Sequence, residues 1–364
     1  QLAQLLHRII AKELSVKGVV RADVEKMLAD VERYRSIRFA QQQREAVITA
    51  VLSNCMVLTG GPGTGKTTTI LGMIDIFRKL KLTVLLCAPT GRAAKRLSEA
   101  TGMEARTIHR LLEYDPFRGR FSRNESTPLE AHVIIMDEAS MVDTILFADF
   151  LKAVSPSSKL IIIGDVNQLP SIGPGNVLRD IISSGAAPTV RLTDVFRQAA
   201  SSRIVQCAHL INSGKRPLID NAVDGNFFFV KKTDPAEISA TIVDMVCRRL
   251  PARYGVVHLN TLLQERLNPL RHSMPVIRKG GFDFRRGDKV MQIRNNYDKM
   301  VFNGDIGRIE RVDSAGSSIR VRFEDMVDYE SSELDDLVPA YAISVHKSQG
   351  SEFRCVVAPV TTQH

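Results

Sequence analysis

No tryptophan occurs in the 364 residues, and aromatic residues make up only 6% of them. A surface that binds polymers by stacking rings would rest on a few Phe and Tyr side chains, so any polyanion bound here must be held mainly through its phosphates. The five cysteines, Cys55, Cys87, Cys207, Cys247 and Cys355, are scattered, odd in number and mostly set in apolar runs. That pattern supports neither a disulfide framework nor a C-x-x-C zinc site, and a reducing cytoplasm is its simplest home. No apolar run approaches the ~20 residues that span a bilayer, and the N-terminus lacks a signal-peptide pattern. Long repeats and low-complexity tracts are also missing.

What is present is ample apolar content and a surplus of positive charge. With 44% apolar residues the chain can bury more than one core, so two or more domains are expected. A formal net charge of +9 and a sequence pI near 9.4 suit a polyanionic partner, although they serve plain solubility equally well.

The segment Gly60-Gly61-Pro62-Gly63-Thr64-Gly65-Lys66-Thr67 fits G-x-x-x-x-G-K-[ST]. It lies between the strand-like run Cys55–Thr59 and the helix-like run that opens at Thr68. Glycines allow close approach to an anion, and the helix N-terminal amides would face phosphates. Gly61, Pro62, Gly63, Thr64, Gly65 and Thr68 line such a site; Lys66 would reach the β- and γ-phosphates and Thr67 would complete a Mg²⁺ shell. ATP with Mg²⁺ is the implied cofactor pair.

A second apolar run, His132–Met136, leads into Asp137-Glu138. In a Mg²⁺-nucleotide site the first carboxylate holds the metal and the second orients and deprotonates the attacking water, so Asp137 is assigned to metal and Glu138 to base. A third run, Lys159–Ile163, ends in Gly164-Asp165-Val166-Asn167-Gln168, where Gln168 is the γ-phosphate sensor candidate; Asp165 and Asn167 fit a turn leaving the strand equally well. Arg197, in Phe196-Arg197-Gln198, is the candidate to stabilise charge on the transferred phosphoryl group.

Taken in order, these segments resemble the RecD-like branch of superfamily 1B DNA helicases, the family of the exodeoxyribonuclease V alpha subunit. The resemblance runs from about Phe39 to Phe353 and adds Gln43, Ala88-Pro89-Thr90-Gly91-Arg92-Ala93-Ala94, Thr107-Ile108-His109-Arg110-Leu111-Leu112, Ala139-Ser140-Met141, Leu169-Pro170 and Tyr341 to Phe353. It implies that Gln43 reads the adenine edge and that Gly350 and Glu352 touch the nucleotide. It also implies a single-stranded DNA channel lined by Thr90, Gly91, His109, His346, Lys347, Ser348 and Gln349. Hydroxyl, amide, imidazole and ammonium groups contact phosphates without reading bases; His109 fits a packed helix histidine as well.

The implied fold class is α/β, with two RecA-like P-loop motor domains on parallel sheets, a small SH3-like β-barrel insertion and an N-terminal helical segment. The expected divisions are 1–38 for the helical segment and 39–190 for the first motor domain, with a small insertion or hairpin at about 113–130, by resemblance the place for a strand-separating pin and equally compatible with a plain basic surface loop. Residues 191–281 and 338–364 would form the second motor domain, and 282–337 the barrel. Asp288–Ile293 and Ser318–Phe323 have strand composition, with Asn303-Gly304 and Ala315-Gly316 as turn signals.

The implied activity is ATP-dependent DNA unwinding in recombination or repair, moving 5′ to 3′ on a single strand. Single-stranded DNA, duplex junctions and other repair subunits would be partners, in the bacterial cytoplasm and away from membranes. An RNA-directed motor of the same superfamily and a non-motor DNA-clamping subunit of a nuclease complex stay open. The usual Thr-Arg-Ala motif is not found before the sequence ends at His364, and Leu250-Pro251-Ala252-Arg253-Tyr254 stands where a Pro-Met-Arg-like segment is usual. A fragment, or a chain with pieces missing, is therefore expected, in which binding outlasts turnover, since loss of one γ-phosphate arginine can slow hydrolysis ~10³-fold.

Overall fold

The computed structural model describes residues 2–12, 18–115, 118–194, 202–219, 227–231, 237, 241, 256–272, 274–296, 298–313, 318–348, 353 and 356–358. Arg197, Gln349, Gly350 and Glu352 lie outside them. The chain divides into two compact units, Gln1–Phe229 and Val230–His364.

The first unit is built on β1 (Cys55–Gly60), β2 (Val84–Ala88), β3 (Ala105–Thr107), β6 (Val133–Met136), β7 (Lys159–Gly164) and β8 (Thr189–Leu192), with the two-stranded hairpin β4 (Tyr114–Asp115) and β5 (Arg120–Phe121) set between β3 and β6 in sequence. The sheet order is β3-β2-β6-β7-β1-β8, with every pairing parallel. Its central strands are largely apolar because both faces are covered. Side-chain alternation then sorts them: Cys55, Val57, Ile134, Met136, Leu160 and Ile162 enter one core, while Met56, Leu58, Val133, Ile135, Ile161 and Ile163 enter the other.

The first core is closed by α1 (Leu2–Ile10), α7 (Thr144–Ala153) and α8 (Val177–Ser184), and the second by α2 (Arg21–Arg35), α3 (Gln41–Leu52) and α4 (Lys66–Lys79). Leu5, Leu6 and Ile9 of α1 pack with Phe147, Phe150 and Leu151, whereas Val24, Leu28 and Val31 of α2 pack with Ile70, Met73 and Phe77. The two N-terminal helices thus sit on opposite faces of the sheet, each completing a core. Glu32 secures the turn out of α2 by accepting from the Phe39 amide at 2.9 Å and from Arg44 at 2.7 Å, and Arg35 forks onto Asp75 of α4. Between β2 and β6 lie α5 (Gly91–Thr101) and α6 (Ile108–Leu111), capped by the Thr90 and Thr107 hydroxyls at 3.2 Å. The expected boundary at 190/191 falls inside β8, which pairs with β1 through Leu192.

In the second unit, helix Val256–Leu267 precedes β9 (Val276–Lys279), β10 (Phe282–Arg285), β11 (Lys289–Gln292), β12 (Ile306–Asp313), β13 (Ser318–Arg322), β14 (Met326–Tyr329) and β15 (Leu337–Pro339). Five strands form an antiparallel sheet in the order β14-β13-β12-β11-β15, and β9 with β10 forms a hairpin. Ile277, Phe284, Val290, Ile309, Val312, Val321 and Tyr329 share one core. Ile309 and Val312 both face inward although three residues apart, because a bulge between Ile309 and Arg311 shifts the register. The Asn303-Gly304 turn is present, with Gly304 at φ 95°, whereas Ala315 and Gly316 lie outside the described residues. Among the described residues the only parallel sheet is that of the first unit; of 191–281, residues 195–201, 220–226, 232–236, 238–240, 242–255 and 273 lie outside them.

Candidate nucleotide site and strand-contact surface

Because all six strands run parallel, their C-terminal ends share one edge of the sheet, and ligands of such sheets bind at that edge. The loop 61–65 follows β1, Thr90 and Gly91 follow β2, His109 follows β3, Asp137 and Glu138 follow β6, and Asp165 to Gln168 follow β7. Chain order alone scatters these groups over more than 100 residues.

The loop is shaped by glycines whose replacement would strain it. A Cβ on Gly60 would lie 2.6 Å from Thr64 Oγ1 and 2.9 Å from Leu192 Cβ, and Gly63 and Gly65 hold φ of 75° and 81°. Gly65 is the residue from which α4 starts, so the first amides of that helix open onto the loop. Thr64 Oγ1 donates to the Gly61 carbonyl at 2.8 Å, and both the amide and hydroxyl of Thr69 donate to the Gly65 carbonyl, at 3.0 and 2.9 Å. Lys66 Nζ donates to the carbonyls of Gly60 and Gly61, at 2.6 and 3.3 Å. Pro62, Gly63 and Thr67 are exposed, Thr68 half-buried.

Gln43 is buried and braces this loop from behind. Its Oε1 accepts from the Ala40 amide at 3.0 Å and its Nε2 donates to the Gly65 carbonyl at 3.3 Å. An adenine contact therefore has the second N–H and the second lone pair of Oε1 to use.

The two carboxylates stand where β6 emerges. Asp137 is anchored by its amide on the Cys87 carbonyl at 2.9 Å, and its Oδ1 accepts from the Glu138 amide at 2.9 Å. Glu138 has φ 53°, a left-handed conformation costly for a residue with a Cβ, and its Oε2 is buried without a hydrogen-bond partner. Burial pushes the pKa of Glu138 up, the Asp137 charge adds to this, and Lys66 and Arg96 oppose it. Asp137 is likewise pushed up by burial, against the Glu138 amide and the Lys66 charge. Gln168 is exposed, and Ser140 Oγ reaches its Oε1 at 3.5 Å. Asp165 is buried and turns the chain: its Oδ1 accepts from the Asn167 amide at 2.9 Å and its carbonyl from the Gln168 amide at 3.1 Å.

Two residues that sequence reasoning passed over join this region. Arg96 lies one helical turn beyond Arg92, so the period of α5 could have pointed to it. His209, in helix Arg203–Asn212, comes so near the loop that a Cβ on Gly61 would be 3.6 Å from its Cε1; no local signal marks it.

Thr90 caps α5 and Gly91 is buried in its first turn. His109 meets the hairpin: its ring lies 5.6 Å from that of Tyr114, edge-on at 84°, and 5.6 Å from that of Phe121, while those two rings are 5.0 Å apart. This cover pushes the His109 pKa down, with Asp143 pulling the other way. His346, Lys347 and Ser348 form one 3-10 turn in the second unit, where Ser348 Oγ donates to the Val345 carbonyl at 2.6 Å and His346 and Lys347 are exposed.

Family models match three stretches: an AAA domain over residues 43–174, an ATP-dependent RecD-like DNA helicase SH3 domain over 259–323, and a UvrD-like helicase C-terminal domain over 339–364. The chain is 36% identical over 318 residues to the ATP-dependent RecD2 DNA helicase of Deinococcus radiodurans, covering 85% of this chain but 43% of that protein. It is 29% identical over 395 residues to the RecBCD enzyme subunit RecD of Mycolicibacterium smegmatis, covering 93% of this chain and 68% of that subunit. In fold it is similar to a Pif1 helicase from a study of DNA unwinding at forked double-stranded DNA, with a TM-score of 0.51 and 18% identity over 86% of this chain and 84% of that one.

Proposed function

Because the chain belongs to the RecD-like helicase family, we propose that it is an ATP-driven motor that moves along single-stranded DNA and unwinds duplex ahead of it, in recombination or repair. The observation that carries this reading is the pairing of a buried, partnerless Glu138 Oε2 with Asp137 and Lys66 at the strand edge. A carboxylate kept desolvated, with its proton affinity raised, is suited to take a proton from attacking water.

ATP enters as substrate with its phosphates against the loop 61–65 and the first amides of α4. Lys66 exchanges its two carbonyl partners for β- and γ-phosphate oxygens. Thr67 and Asp137 supply an exposed hydroxyl and a carboxylate, the hard oxygen donors that Mg²⁺ takes alongside phosphate oxygens. Held by these residues, Mg²⁺ would supply charge neutralisation at the phosphates. Glu138 receives the proton of the attacking water, Gln168 orients at the γ-phosphate, and Arg197 stabilises its developing charge; Gly350 and Glu352 touch the nucleotide. Gln43 acts chiefly through Gly65, keeping the loop open.

Thr90, Gly91, His109, His346, Lys347, Ser348 and Gln349 hold the strand by its backbone. Translocation runs 5′ to 3′, in the bacterial cytoplasm and alongside other repair subunits. No helix among the described residues is long and apolar enough to cross a membrane. The reading is tested by strand displacement on forked duplexes carrying a 5′ or a 3′ tail, beside ATP hydrolysis with DNA or RNA of equal length. Displacement from the 5′ tail with DNA-stimulated hydrolysis supports it; stimulation by RNA alone, or displacement from neither tail, overturns it.

A further inference from the structure

In the second unit a buried carboxylate is met by four neutral donors. Asp288, 2% exposed, accepts at Oδ2 from Gln264 Nε2 at 2.5 Å and the Arg285 amide at 2.7 Å, and at Oδ1 from Asn268 Nδ2 at 2.7 Å and the Tyr341 hydroxyl at 2.9 Å. Two oxygens with four donors leave the carboxylate satisfied, and charge-assisted bonds in a buried setting are the least yielding kind. Asn260, Gln264 and Asn268 are spaced by four, so they share one stripe of helix Val256–Leu267 and the residue that follows it. The third member, Asn260, grips the backbone of Ala342 from both sides: Nδ2 donates to its carbonyl at 2.9 Å and Oδ1 accepts from its amide at 3.0 Å.

The stripe therefore joins three things: the helix, the start of β11, and the chain leaving β15. Ala340 is tied to Lys289 by its amide at 2.8 Å, Tyr341 by its hydroxyl and Ala342 by its amide and carbonyl. Four residues after Ala342 the turn His346–Ser348 begins. Beyond Ala342 that stretch has only local bonds among its described residues, Lys347 amide to Ser344 Oγ at 3.4 Å and the Val345 carbonyl contacts.

We propose that the Asn260–Gln264–Asn268 stripe and Asp288 form a positioning device, which fixes Tyr341 and Ala342 and thereby aims the turn His346–Ser348 at the DNA strand. The inference rests on the proposed function for the statement that the turn touches DNA, while the aiming itself stands on the hydrogen bonds.

Tyr341→Phe removes one hydroxyl and no ring, and Asn260→Ala removes the grip on Ala342. Hydrogen exchange followed by mass spectrometry and anisotropy of a labelled oligothymidylate are measured on both variants. The expected result is exchange in residues 340–348 faster by about tenfold, with β12 and β13 exchanging as in the unaltered protein, and oligonucleotide affinity weaker by about tenfold, the size of one bond to a carboxylate for Tyr341→Phe and of two neutral bonds for Asn260→Ala. Unchanged exchange in 340–348 for both variants overturns the inference. Faster exchange with unchanged affinity reduces the network to a structural brace and also overturns it. An unaltered protein that fails to bind the oligonucleotide contradicts the proposed function instead, and the exchange result then decides alone whether the network holds the turn.

Discussion

Asp137 Oδ1 accepts the amide of Glu138 at 2.9 Å, and this bond belongs to a Glu138 backbone held at φ 53°. A left-handed residue with a Cβ costs about 1–2 kcal/mol, a cost that a helix or strand would not incur. What it achieves is direction: the chain turns sharply out of β6 and leaves Glu138 Oε2 buried and without a hydrogen-bond partner at the sheet edge.

Replacing that carboxyl separates chemistry from stability. Glu138→Gln should lower ATP turnover by about 10²–10⁴-fold, the range for loss of a general base, with nucleotide affinity within a few-fold. The folded-state pKa is raised above the usual 4.5, so the stability linked to this group is complete below that value and is lost as pH rises through the folded pKa. Thermal unfolding of the ligand-free variant should accordingly show a gain in Tm that is larger at pH 8 than at pH 5. A gain of equal size at both would remove the buried charge from the account.

Gln43→Ala tests the brace behind the loop. Two buried bonds are lost, to the Ala40 amide and the Gly65 carbonyl, so unfolding in urea should show a loss of about 1–3 kcal/mol together with a higher KM for ATP. If Gln43 served adenine alone, KM would change and the urea midpoint would not.

Lys159 is fully buried at the far end of the sheet, with Nζ donating to the carbonyls of Val51 and Ser53 at 2.8 Å each, and burial brings its pKa down to about 8. Between about pH 8 and its ordinary value of 10.5 the unfolded chain binds more protons than the folded one, so stability from this group rises with pH there and is lost as pH falls through 8. Urea midpoints at pH 7.5 and 9.5 should therefore differ by less in Lys159→Met than in the unaltered protein. A difference as large in the variant would show that Lys159 is not the titrating group.

The rings of His109, Tyr114 and Phe121 fasten the small hairpin to the segment after β3. Phe121→Ala frees the hairpin without touching the nucleotide loop. Duplex unwinding should fall about tenfold or more while DNA-stimulated ATP hydrolysis stays within twofold, the loss being one of aromatic packing of about 0.5–1.5 kcal/mol beyond area. Equal loss of both activities would argue against a separate role for the hairpin.

The legibility of this molecule divides along physical lines. Apolar runs ending in glycine or acidic pairs were readable as buried strands, because a parallel sheet covered on both faces demands them, and Gly63 and Gly65 announced their conformations. Glu138 gave no such notice: nothing in its side chain favours positive φ, and the surrounding fold imposes it. Gln43 on Gly65, Arg96 near Glu138 and His209 beside Gly61 arise from packing between segments far apart in sequence, which local period and motif do not encode. The same holds for α1 and α2, whose helical spacing was plain but whose burial on opposite faces depended on the sheet between them.

The most direct test of the central claim is steady-state ATP hydrolysis with and without single-stranded DNA, in the unaltered protein and in Lys66→Ala. The account predicts hydrolysis stimulated by DNA and abolished by the substitution. Tight DNA binding with no stimulated turnover, or stimulation that survives loss of Lys66, would contradict it.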